Sequence, residues 1–93
     1  MAEPAKQVFV IVGTKNAPAI ADKLLELEVR SHRLADNAWL AVYPGTAREL
    51  AETLGIRKGE IGAAGLVIPF DSYSGRAASE VWEWLKVNWP ESD

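Results

Sequence analysis

Val8-Phe9-Val10-Ile11-Val12, followed by Gly13-Thr14-Lys15-Asn16, is the stretch on which the fold turns. Five consecutive apolar residues, mostly β-branched, specify a strand buried on both faces. Such a strand belongs inside a sheet rather than at its margin. Gly13 breaks the strand, and the polar residues behind it turn the chain into the next element. Asn16 is suited to cap a helix. Pro18 suits the first turn, where its missing N–H leaves nothing unpaired. The helix carries Ile20, Leu24 and Leu27 on one face, with Asp22, Lys23 and Glu26 off that stripe, and ends near Glu28.

Working outward, Met1 to Lys6 reads as a flexible tail, and residues 7–93 as a single domain. The first strand covers Gln7 to Val12. Val29 to Leu34 reads as a second strand whose Arg30, His32 and Arg33 suit an exposed edge. Ala35-Asp36-Asn37 is a tight turn, and Ala38 to Tyr43 is the hairpin partner. Thr46 and Glu49 match a capping box for a second helix that runs to about Leu54, with Gly55 ready to end it. Gly62 to Phe70 is a fourth strand, and its Gly65 and Pro69 place it at a sheet edge. Asp71 to Gly75 is a loop. Arg76 to Asn88 is a last helix with Ala78, Val81, Trp82, Leu85 and Trp89 on its apolar stripe, and Pro90 stops it.

This element order, strand-helix-strand-strand-helix-strand plus a helix, predicts an α+β ferredoxin-like sandwich (βαββαβ) with an extra C-terminal helix. Its antiparallel sheet order is 4-1-3-2, with the opening strand central. Alternation then makes both sheet faces apolar. Val8, Val10 and Val12 point one way and Phe9 and Ile11 the other; Leu40 and Val42 oppose Trp39 and Tyr43. An open face carrying Phe9, Ile11, Trp39 and Tyr43 would exceed the few hundred Å² of apolar patch usual on monomers. The expected cover is the Trp-rich last helix or a second subunit. Trp84 lies off the apolar stripe of its helix, which adds it to the candidate interface residues.

At 93 residues the chain is long enough for one core, burying about 60–65% of its unfolded surface. The absence of cysteine excludes disulfides, thiolate metal sites and a cysteine nucleophile. The N-terminus lacks the basic and long apolar regions of a signal peptide, and no run reaches the roughly 18 apolar residues of a membrane span. A cytoplasmic location is the expectation. A net charge of −3 gives no global support for nucleic-acid binding, which relies on Lys and Arg against phosphate.

Candidate chemistry is sparse. Thr14, Lys15 and Asn16 occupy a strand-to-helix junction, where backbone N–H groups favour anions. The expected topology brings Asp36 and Asn37 beside them, so Lys15 binds an anion there or pairs with Asp36. The G-x-x-x-x-G-K-[ST] spacing of a phosphate loop is absent. His32 is the only histidine and forms no multi-histidine metal site. Glu26, Glu28, Glu49, Glu52, Glu80 and Glu83 read as a solvated helix surface, and Asp71 as a turn cap. Arg30, His32 and Arg33, with Trp39 and Tyr43 alongside, offer a small stacking and phosphate surface, though without an RNP-like pattern. No catalytic, metal or cofactor residues are assigned.

The Val8–Val12 strand, the Trp39 hairpin strand and the ending Gly75-Arg76-Ala77-Ala78-Ser79-Glu80-Val81-Trp82-Glu83-Trp84-Leu85-Lys86 make the chain resemble small SinR-like proteins. These are relatives of the CRISPR-associated small endoribonuclease and integration-adaptor family. The resemblance implies a ferredoxin-like fold and a homodimer. The nuclease relatives keep a metal-holding Asp just after the first strand, where this chain has Gly13-Thr14-Lys15, and a lysine does not ligate Mg²⁺ as a carboxylate does. The leading expectation is therefore a non-enzymatic, homodimeric protein-interaction or regulatory domain. The alternatives are an RNA-binding or degenerate nuclease-like protein, and a regulatory domain for a small anionic ligand.

Overall fold

The computed structural model describes residues 7–59, 61–70, 74–76 and 79–88. The elements are β1 (Gln7–Lys15), α1 (Ala17–Glu26), β2 (Ser31–Ala35), β3 (Ala38–Tyr43), α2 (Ala47–Thr53), β4 (Ala64–Pro69) and α3 (Ser79–Asn88). The expected tail, the Asp71–Tyr73 part of the last loop, Ala77, Ala78, Trp89 and Pro90 lie outside the described residues.

The protein is α+β. The described residues form a four-stranded sheet of order β2-β3-β1-β4, antiparallel throughout. β1 is central, as its apolar run requires: Val8, Phe9 and Ile11 are all buried. Gly13 does not end the strand as expected. β1 continues to Lys15 through a register shift between Gly13 and Lys15, which leaves Lys15 opposite Ala64. Gly65 makes that close pairing feasible, because a Cβ on it would lie 2.5 Å from the Val12 carbonyl oxygen.

The longer strand leaves a single residue to reverse the chain into α1. Asn16 does so in the left-handed region (φ 52°, ψ 51°), and its side chain makes no capping bond. Asn16 is the N-cap residue as expected, but it serves through its tolerance of positive φ and not through a side-chain bond. Ile20 and Leu24 are buried, but Leu27 lies past the helix end and is exposed. The end of α1 is a Schellman motif: the Val29 amide donates to the Leu24 carbonyl and the Glu28 amide to that of Leu25. Glu28 takes the left-handed position at φ 57°. That motif consumes Val29, so β2 starts at Ser31 rather than Val29. α2 has the expected capping box, with Glu49 N–H donating to Thr46 Oγ1 at 3.1 Å and Thr46 N–H to Glu49 Oε1 at 2.9 Å. It ends in the same motif as α1, this time on Gly55 at φ 77°, with buried Ile56 packing behind it.

The distribution of helices over the sheet corrects the expectation for its faces. Phe9, Ile11 and Trp39 are 1%, 0% and 4% exposed, in a core with Ile20, Leu24, Leu50 and Leu54. The face expected to stand open is therefore the one under α1 and α2. Tyr43 is half-buried at its margin, its hydroxyl 3.2 Å from Thr53 Oγ1. The reason is topological. β1 and β2 are parallel across β3, and β3 and β4 are parallel across β1. For crossovers of the usual right hand, strands running in opposite senses put both helices on one face, and Ile20, Leu24, Leu50 and Leu54 do share one core. α3 packs on the opposite face, where Leu85 joins Val8 and Leu40 in a second buried cluster.

Candidate interaction surface

Cross-strand partners share a face. Val10 pairs with Leu40 and Ile68, and Val12 with Ala38 and Leu66. With Val8, Val42, His32 and Leu34 they make up the second face. A ten-residue helix such as α3 is about 15 Å long and 10–12 Å wide. A four-stranded sheet is roughly 15–20 Å across and its strands longer still. One short helix therefore covers only part of this face. Val8 and Leu40 lie beneath it, while Leu66, Ile68 and Leu34 remain 58%, 45% and 40% exposed. A groove of about 380 Å³ runs between α3 and the sheet, lined by Val10, Leu34, Leu40, Trp82 and Leu85 among others. The middle of the face carries no charge. Lys15 and His32 stand at its margins.

Trp84 is half-buried and packs against the cluster under α3. Its ring lies 6.1 Å from that of His32, tilted by 35°. Arg30 Nη1 donates to Asn88 Oδ1 at 3.0 Å, and Asn88 Nδ2 donates to the Trp84 carbonyl at 2.8 Å. The basic residues around β2 thus fasten the end of α3 to the sheet edge. Arg33 alternates to the other face opposite Trp39, whose ring is buried. The proposed stacking surface of Arg30, His32, Arg33, Trp39 and Tyr43 is therefore split between faces, and Trp39 has no exposed ring to offer a base.

Thr14, Lys15 and Asn16 are exposed, and the fold does bring Asn37 beside them. Asn37 is tied to β1: its carbonyl accepts from Gly13 N–H at 2.7 Å and its Nδ2 donates to the Gly13 carbonyl at 3.1 Å. Asp36 pairs with Arg33 at 3.4 Å rather than with Lys15, in a solvent-exposed contact. The N-terminus of α1 offers few donors to an anion, since Pro18 has none and Ala19 N–H bonds the Asn16 carbonyl at 3.1 Å. The junction is a tie between turn and strand.

The surface residues that sequence reasoning missed are Leu34, Leu66 and Ile68. For Leu66 and Ile68 the signal was present in the charge-free run of Ala64 to Pro69 and in its assignment to a sheet edge; Leu34, on β2 among charged residues, had none. Among the described residues no group of three or more His, Asp or Glu is placed to hold a metal ion, and no helix is long and apolar enough to cross a membrane. No known family model, curated protein or solved structure matches the chain.

Proposed function

We propose that this chain is a small non-enzymatic domain that acts through protein contacts, and that it works as a homodimer. The observation behind this reading is the uncovered, charge-free part of the second sheet face, where Leu34, Leu66 and Ile68 stand exposed around Val10 and Val12. A contiguous apolar patch rimmed by polar groups is what a protein-binding surface presents to solvent. The element order and the sheet order β2-β3-β1-β4 support a ferredoxin-like domain with an added helix. They are also compatible with kinship to the SinR-like proteins. Lys15 at the end of β1 and the engaged His32 and Asn37 favour this reading over a nuclease or an anion-binding one.

Sedimentation equilibrium on the full chain over a wide concentration range tests it. A reversible monomer–dimer equilibrium is expected, weakened by Leu66→Lys. A strict monomer at the highest attainable concentration retires the homodimer.

A further inference from the structure

The two edges of the sheet are chemically unlike. β2 carries His32 and Arg33, with Arg30 just before it. Charge of this kind discourages a second chain from pairing. β4 reads Ala64-Gly65-Leu66-Val67-Ile68-Pro69, with no charged residue. Among the described residues it has β1 on one side and no strand on the other. Its outward backbone groups follow from the hydrogen bonds. The Phe70 amide donates to the Val8 carbonyl at 3.2 Å. By antiparallel alternation Ile68 and Leu66 also bond towards β1, so Gly65, Val67 and Pro69 face outward. Pro69 sits where an N–H would find no partner in the sheet. Val67, in the middle of the edge, directs both its N–H and its C=O outward.

We propose that two copies of this chain pair through β4, antiparallel about a two-fold axis at Val67, joining their sheets into one. The proposal rests on the homodimer reading above and specifies its geometry. In this register Val67 faces its counterpart and exchanges a pair of hydrogen bonds with it. Each Gly65 N–H meets the Pro69 carbonyl of the second copy, so the proline forfeits only the donor it lacks. Each Leu66 falls opposite Ile68 of the second copy, with both side chains on the uncovered second face. The most exposed residues of each patch thereby pack side by side across the seam. Identity of the strands supplies the symmetry, because an antiparallel pair of like strands has its own two-fold axis. Size points the same way. Three exposed side chains, Leu34, Leu66 and Ile68, are far fewer than the roughly 20–30 residues a side of a standard interface, so edge pairing adds a backbone ladder to them.

A cysteine-free chain makes the test clean. In a hydrogen-bonded antiparallel pair the Cα atoms lie about 5.5 Å apart, within the span of a disulfide. Val67→Cys is a conservative change at a half-buried site, and mild oxidation is expected to convert most of it to a covalent dimer. Arg33→Cys on the opposite edge should cross-link at least about tenfold more slowly, its thiols being held beyond disulfide reach. In sedimentation, Leu66→Lys should weaken the dimer about tenfold or more, while Leu34→Lys on the far side of the face leaves it unchanged. A dimer that forms without Val67→Cys cross-linking, or that Leu34→Lys weakens as strongly as Leu66→Lys, overturns edge pairing and leaves the homodimer standing. A strict monomer overturns both.

Discussion

Replacing Leu85 with alanine isolates the contact that holds α3 on the sheet. Leu85 is 3% exposed and is the only α3 residue buried to that degree among those described. It sits on Val8 and Leu40, at 0% and 3% exposure. Leu→Ala removes about three methylene equivalents, worth roughly 0.8 kcal/mol each, or about 2.4 kcal/mol in lost transfer energy. A sealed cavity would add about 24 cal/mol per Å³. Leu85 also lines the groove beside α3, so the vacated space merges with that groove and the cavity contribution stays small. The expected loss is therefore about 2.5–3 kcal/mol, at the low end for buried leucines. Leu50, fully buried in the cluster beneath α1 and α2, is the comparison, and Leu50→Ala should cost about 4 kcal/mol. Urea unfolding followed by tryptophan fluorescence and by far-ultraviolet circular dichroism measures both. Trp39 reports on the first face, and Trp82 and Trp84 on the second. A Leu85→Ala loss below about 0.5 kcal/mol, the range of surface substitutions, would refute the packing of α3 on the sheet. So would a Leu85→Ala loss equal to that of Leu50→Ala, because the site beside α3 is open to the groove and the one under α1 and α2 is closed.

Other substitutions probe backbone geometry. Glu28 holds the left-handed position that ends α1. Glycine there relieves about 1–2 kcal/mol of steric cost and gives back about 0.5–1 kcal/mol in chain entropy, so Glu28→Gly should stabilise by roughly 0.5–1 kcal/mol. That is about 2–8 °C in a thermal melt, and a lowered Tm would contradict the assigned helix end. Gly65→Ala sets a Cβ 2.5 Å from the Val12 carbonyl oxygen. The contact is with backbone, so the β1–β4 ladder must shift, and a loss of about 1–3 kcal/mol is expected in urea titrations. An unchanged midpoint would show that the strands pair differently at the Gly13 bulge.

Much of the fold was legible because short-range rules act on short-range patterns. The apolar run of Val8 to Val12 marks a central strand, Thr46 with Glu49 starts α2, and Gly55 ends it. β3 was read with its observed bounds, Ala38 to Tyr43. The misreadings came where a residue's conformation depends on what lies beyond it. Gly13 resembles a strand end, yet pairing with Gly65 carries β1 onward. Asn16 resembles a side-chain cap, yet the lengthened strand leaves it to reverse the chain alone. Asp36 resembled a partner for Lys15 and Asn37 a member of the same anion site, yet Arg33 and Gly13 take their hydrogen bonds.

By itself the sequence determined that both sheet faces are apolar, since side-chain alternation is a property of each strand alone. Only the tertiary structure decided which helices lie over which face. That choice follows from the handedness of the two crossovers and not from any local pattern. It moved Phe9, Ile11 and Trp39 from an expected interface into the main core, and it left Leu34, Leu66 and Ile68 exposed on a face that one short helix cannot span.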